Sequence, residues 1–191
     1  MTAFEQSTQR SSQLLLVHHG LLWGHPLTIT GMLRQRLAFL LHNGISLYAV
    51  HLPLDAHPEV GNNAQLAKLL GMEVGRPFGN YRGYSLGVEA TFSKGMDRES
   101  FVKKVEQTLH TKVSLLPFGR DKIKRIAIVS GGGASELSKA ANQGFDLLLT
   151  GEAEHSSFHP AREYQINVAY AGHYATETVG IKALGEHLAQ Q

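Results

Sequence analysis

The 191-residue chain contains no cysteine. Disulfides, thiolate metal sites and cysteine nucleophiles are therefore excluded. A reducing cytoplasm is compatible with that composition. Nowhere does an apolar run approach the ~20 residues of a membrane span. The stretch from Met1 to Gln13 is polar and lacks an apolar core, so it does not read as a secretion signal. Charge of one sign is also scarce. Eighteen basic and sixteen acidic residues leave a formal net charge of +2. The densest basic run, Arg120 to Arg125, contains Asp121 and leads into a predicted strand, which makes it a solvated strand entry. Tight nucleic-acid binding needs clustered Lys and Arg, so it is disfavoured. No short repeat or low-complexity segment occurs. Hydrophobic residues at 42% and charged residues at 18% describe an ordinary globular chain.

Histidine, by contrast, is abundant, at eleven. Without cysteine, any transition-metal site must use imidazole and carboxylate donors. The question is whether those donors can converge.

Periodicity predicts the elements. Leu14–Val17 is a short apolar run ending at His18-His19-Gly20 and reads as a buried strand of a parallel sheet. Thr28 to His42 is a predicted helix, stopped by a left-handed cap at Asn43-Gly44. Ile45 to Val50 is a strand ending at His51, and Pro58 to Leu70 is a helix closed by Gly71. Val74 to Phe92 mixes β-formers with glycines and reads as an antiparallel pair. A helix follows over Asp97 to His110, with Asp97 as cap and Phe101, Val105 and Leu109 on one face. Val113 to Leu116 is a short strand. Alternation then resumes: strand Ile123–Val129, turn Gly131–Gly133, helix Ala134–Asn142, strand Phe145–Leu149, helix Ser156–Tyr164, strand Val168–Ala171 and helix Thr176–Ala189. The pattern implies the α/β class with largely parallel sheets. Each end of the chain has an apolar strand running directly into histidine, which suggests two related lobes, about 14–120 and 121–191, within a single domain.

In parallel α/β sheets, ligands bind beyond the carboxyl ends of the strands. His18 and His19 follow the first predicted strand, and His51 and Asp55 follow the second. Glu152 follows the Phe145 strand and His173 the Val168 strand. Independent strand ends thus deliver imidazoles and carboxylates to one edge. His173 and Glu177 are four apart at a helix start, where both side chains can face one way, and Gly172 allows the sharp entry. Taken singly, each signal is ambiguous. His18-His19 could be one core and one exposed histidine, and Asp55 could be an N-cap for the helix after Pro58. Gly131–Gly133 reads as a tight turn, with phosphate binding the alternative; it lacks the Lys-Ser/Thr of a P-loop. Trp23 could stack on a base, but packing in a core or interface is the plainer reading. Tyr174 could line the site or simply pack. His42, His110 and His187 fall near helix ends, and His25, His57, His155 and His159 in loops, His155 alone of these being expected near the metals.

Together the motifs are recognisable. Val17-His18-His19-Gly20, His51-Leu52-Pro53-Leu54-Asp55-Ala56, Thr150-Gly151-Glu152 and Ala171 to Glu177 resemble the ordered motifs of the Nif-three-like family. The run Gly61 to Ala67 resembles its bacterial branch, of the YbgI type, whose members are often labelled GTP cyclohydrolase type-2 homologues. The similarity extends from about Leu14 to Leu188. It implies two α/β lobes facing a dinuclear metal centre, with His18, His19, Asp55, His173 and Glu177 as ligands and His51 and Glu152 at the rim. It also implies a ring-shaped homohexamer, and relatives that are longer at both ends by sheet strands expected to be missing here.

The function expected is that of a metal-dependent hydrolase acting on a nucleotide-like or cyclic amidine substrate. Two divalent ions, each Zn, Fe, Mn, Co or Ni, would clamp the reacting group while His51 or Glu152 shuttles protons. The alternative is a non-catalytic metal-binding scaffold or metallochaperone-like adaptor. A DNA- or protein-binding ring is a third reading, disfavoured by the charge.

Overall fold

The structure is a computed structural model that describes residues 2–24 and 26–191. The loop position expected for His25 lies outside the described residues. The contacts divide the chain into two compact units, one ending at His51 and one beginning at Leu52.

The first unit contains helix α1 (Thr2–Gln9), strand β1 (Leu14–Val17), helix α2 (Gly31–His42) and strand β2 (Ser46–Ala49). β1 and β2 pair in parallel, from Leu14 opposite Ser46 to Val17 opposite Ala49. Contrary to expectation, β1 is not buried: Leu14 is exposed and the rest of the strand only partly covered. The two strands form a sheet of their own, so few neighbours cover their faces. α2 begins at Gly31 rather than Thr28. Thr28, Ile29 and Thr30 are β-branched and lose side-chain freedom in a helix, and Thr30 stays extended. The helix ends as expected. Gly44 is left-handed at φ 62°, Gly44 N donates to Leu41 O and Ile45 N to Leu40 O. This is a Schellman cap, and its customary apolar contact joins Ile45 to Leu40 with Phe4.

The second unit is built on a six-stranded sheet in the order β3-β4-β6-β7-β8-β5. Its strands are β3 (Glu73–Phe78), β4 (Gly87–Asp97), β5 (Ser114–Pro117), β6 (Lys122–Val129), β7 (Leu147–Thr150) and β8 (Asn167–Tyr170). β6, β7 and β8 are parallel, as alternation predicts. β3 and β4 pair antiparallel, β4 runs antiparallel to β6, and β5 antiparallel to β8. The sheet is therefore mixed: β3 and β4 join as a hairpin, and β5 leads into β6 through a short connection without a helix. β7 lies at the centre. Leu147, Leu148 and Leu149 are fully buried on both of its faces, each contributing about 1.5–3 kcal/mol relative to exposure.

The helices of this unit are α3 (Leu52–Asp55), α4 (Asn62–Leu69), α5 (Arg98–Leu109), α6 (Leu137–Asn142), α7 (Phe158–Glu163) and α8 (His173–Leu188). The helix expected from Pro58 begins only at Asn62, after Gly61, and α3 precedes it as a single separate turn. Pro53 sits in the first turn of α3, where its missing N–H has no helical partner to lose. Gly71 ends α4 at φ 71°. α5 follows the prediction: the Asp97 carboxylate accepts from Ser100 N at 2.9 Å, while Phe101 and Val105 are fully buried. α8 starts at His173, three residues before the expected Thr176, with Gly172 at φ 89° making the bend. Among the described residues no helix is long and apolar enough to cross a membrane.

Candidate metal centre

In the first unit, parallel pairing sends the residues after β1 and β2 to the same end, and Val50 N still donates to Val17 O at 3.0 Å. His18, His19 and His51 meet there. Ring centroids are 4.8 Å apart for His18–His19, 5.1 Å for His18–His51 and 4.8 Å for His19–His51. One ring nitrogen from each lies within 4.8 Å of the other two, a spacing suited to a metal ion. Gly20 lets the chain leave this corner closely, since an added Cβ would lie 3.1 Å from Ala49 Cβ. His18 is buried and His19 exposed, as the plainer reading of the dipeptide anticipated, yet both rings join one cluster. Trp23 packs on the His51 ring at 6.0 Å and is 67% exposed, so of the core and interface alternatives the core one fails.

In the second unit, the matched ends of β6, β7 and β8 bring together Ser130-Gly131, Gly151-Glu152 and Gly172-His173. Gly131 O accepts from both Gly151 N and Glu152 N, and Gly151 O accepts from Gly172 N. His173 has a carboxylate at each ring nitrogen. Nδ1 lies 2.7 Å from Glu152 Oε1, and Nε2 lies 2.9 Å from Glu177 Oε2. The i, i+4 spacing in the first turns of α8 makes the second contact. Gly131 allows Glu177 in: at φ 63°, a Cβ there would overlap Glu177 Oε1 and lie 3.1 Å from His173 Nε2. The Gly131 N–H donates to Thr176 Oγ1 and the Gly133 N–H to Thr150 Oγ1. The glycine turn thus spends these donors on threonines. A three-residue 3-10 turn follows it and leads directly into α6.

Asp55 is buried at the end of α3. Its Oδ1 accepts from Asn62 Nδ2 at 2.8 Å and Ser130 Oγ at 3.1 Å. The N-cap alternative fails, because Gly61 occupies that position for α4. Asn63 supports the same corner, donating to Asp55 O and accepting from Ser130 N at 2.7 Å. A carboxylate oxygen of Asp55 and one of Glu177 lie within 4.8 Å of each other. Within this unit Glu177 is therefore the meeting point of Asp55 and His173.

The donor chemistry fits a divalent cation. Two buried acids this close repel unless a cation or proton lies between them. A neutral imidazole donating Nδ1–H to Glu152 turns the Nε2 lone pair toward Glu177, an arrangement a cation satisfies. The carboxylate–imidazole pair is the usual way to orient a metal-binding histidine.

The remaining histidines have other roles. His42 and His187 occupy last helical turns, and His110 is a left-handed C-cap. His57 Nδ1 accepts from Glu59 N and Val60 N and so closes the loop before α4. His155 is exposed in a 3-10 turn, and His159 lies within α7 rather than in a loop. Tyr174 is 84% exposed. Asn62 and Asn63 are the residues that sequence reasoning missed. They were visible only as part of a family-like run, and polar residues at a helix start normally signal solvent.

A mixed α/β protein carrying His/Asp/Glu clusters able to hold metal is the class that fold and site define. The chain belongs to the Duf34/NIF3 (NGG1p interacting factor 3) family, which it matches over residues 1–191. It is 40% identical over 188 residues to a GTP cyclohydrolase 1 type 2 homolog of Deinococcus radiodurans, covering 98% of this chain and 72% of the relative. A protein of the same name from Pyrococcus horikoshii is 45% identical over 175 residues, covering 91% and 70%. The solved structure of protein ybgI, itself of unknown function, superposes with a TM-score of 0.92 at 38% identity, covering 98% of this chain and 75% of that one. The family resemblance and the α/β fold read from sequence are thereby borne out.

Proposed function

We propose that the chain binds two divalent metal ions through His18, His19, Asp55, His173 and Glu177, and that the loaded protein hydrolyses a nucleotide-like or cyclic amidine substrate. The observation that carries the reading is the placement of Glu177, 2.9 Å from His173 Nε2 and within 4.8 Å of Asp55. The His18/His19/His51 cluster supplies nitrogen donors of the kind needed to complete such a set. The name of the relatives, GTP cyclohydrolase 1 type 2 homolog, points to the same substrate class.

Bound divalent ions supply Lewis acidity and make water a stronger acid near neutral pH. The protein's own groups do the rest. Asn62 and Ser130 fix the Asp55 carboxylate, and Glu152 fixes the His173 ring. Glu152 is exposed enough to exchange protons with solvent, which suits it to a proton-transfer role beside its orienting one; His51 is the second candidate. Ion identity follows availability among Zn, Fe, Mn, Co and Ni.

One observation favours a second reading. The Glu152 carboxylate is already committed to His173, as it would be in a metal-holding scaffold without catalysis. Elemental analysis of the purified chain, alone and as His18→Ala and Glu177→Ala, tests the metal proposal: two ions are expected, with fewer in each variant. A nucleotide panel assayed with chelator and after metal restoration then separates enzyme from scaffold. Full metal content with no turnover would leave the scaffold. We also read the chain as a homo-oligomer; light scattering gives its mass.

A further inference from the structure

A cavity of about 410 Å³ lies in the second unit, lined by Leu52, Pro53, Ala56, Leu86, Tyr81 and Tyr84. Its volume falls in the range of small-molecule sites. We propose that it binds a planar nitrogen heterocycle bearing an anionic group, of nucleoside-monophosphate size, with Tyr81 and Tyr84 as its stacking surfaces and Arg82 as the cation for the anion.

Local geometry builds the site. Tyr81 N donates to Tyr84 O at 2.8 Å, and Tyr84 N to Tyr81 O at 3.0 Å. The two residues are therefore a directly opposed antiparallel pair, and their side chains leave the same face of the hairpin. Arg82 at φ 52° and Gly83 at φ 89° form the two-residue tip, the mirror-image turn that suits strand twist. Asn80 Oδ1 accepts from Gly83 N at 2.9 Å and braces it. A non-glycine residue in the left-handed region carries a conformational cost, which the Tyr81–Tyr84 hydrogen bonds and the Asn80 brace offset. The Arg82 guanidinium lies 5.3 Å from the Tyr81 ring centroid.

The opposite wall is α3. Ala56 N donates to Leu52 O at 3.1 Å, which stacks those side chains on one side of the turn. Asp55 immediately precedes Ala56, and Ala56 also lines a narrower cleft shared with Asp55. Ala56 is therefore common to the lining of the cavity and of that cleft. The chemistry selects the occupant. Tyr81 is 46% and Tyr84 73% exposed, so aromatic surface remains available for stacking. A planar base gains from stacking, and a phosphate gains a forked donor from arginine.

The proposal rests on the metal-hydrolase reading for its purpose but not for its test. The full chain is treated with chelator, and equilibrium dialysis measures binding of adenosine and guanosine 5′-monophosphate, the matching nucleosides and ribose 5-phosphate. At least one nucleotide should bind, with affinity falling about 10-fold or more in Tyr84→Ala and little in Tyr84→Phe. Arg82→Ala should weaken the nucleotide and leave its nucleoside unchanged. Equal binding of ribose 5-phosphate, indifference to Tyr84→Ala, or no binding of any ring compound would overturn it. So would a fall in oligomer mass in Tyr84→Ala without ring binding, since a second copy would then occupy the cavity. Ring binding by a chain that elemental analysis finds unable to hold metal would sink the metal reading alone.

Discussion

Glu152 Oε1 stands 2.7 Å from His173 Nδ1, across the gap between two adjacent parallel strand ends. The contact orients the ring, with Nε2 facing Glu177. Partners of this kind typically change metal affinity by about 10–100-fold when removed. Glu152→Ala should therefore lower divalent-metal affinity by about that factor while leaving the far-UV spectrum and urea midpoint of the metal-free protein unchanged. Unaltered affinity by competition with a chromogenic chelator would show that Glu152 plays no orienting part.

Asn62 is fully buried and joins two elements through one amide: it donates to Asp55 and accepts from Gly180 N at 2.8 Å. Asn62→Ala removes an acceptor from the Gly180 N–H and a donor from Asp55. Such a loss costs about 1–3 kcal/mol, so the urea midpoint of the metal-free chain should fall correspondingly.

Gly131→Ala combines two penalties. A left-handed non-glycine residue costs about 1–2 kcal/mol, and the new methyl group would occupy the space of Glu177 Oε1. The expected outcome is a folded but destabilised protein with reduced metal content. Metal content equal to that of the parent in elemental analysis would contradict the close approach described.

Asp97 provides a pH test remote from the metal residues. The Ser100 backbone N–H, and then the Ser100 hydroxyl, hold its carboxyl below the usual carboxylate range. A folded-state pKa below the unfolded one means its stabilisation is complete above the unfolded value and is lost as pH falls through the folded value. Asn at this position still caps the helix but cannot titrate. Asp97→Asn should thus be less stable than the parent at pH 7, with the difference shrinking in acid, as read from urea midpoints across that range.

What the sequence revealed followed a physical rule. Phe145 to Leu149 read as a strand, and Leu147 to Leu149 within it are buried because a central parallel strand has no polar face. Gly44, Gly71 and Gly172 marked their bends because each requires a positive φ. The same rule misled at Leu14–Val17, where the apolar run sits in a two-stranded sheet and stays largely uncovered. Helix starts were less legible: Thr28 to Thr30 carry the right period but the wrong branching, and α3 is too short to show a period at all. At the site, strand ends pointed to the donors in each unit, including His51, which clusters directly with His18 and His19. Asn62 and Asn63 gave no signal, because nothing in an Asn-Asn pair announces that tertiary contacts will bury it.

Thr176 Oγ1 accepts from Gly131 N while donating to carbonyl oxygens at the start of α8. Through Gly131 O, the same turn is tied to Gly151 and Glu152, and through Gly151 O to Gly172. Loops from three different stretches of chain are therefore coupled in opening. Their amide protons should exchange with deuterium as a single cooperative unit, and Thr176→Val should speed all of them together rather than Gly131 alone.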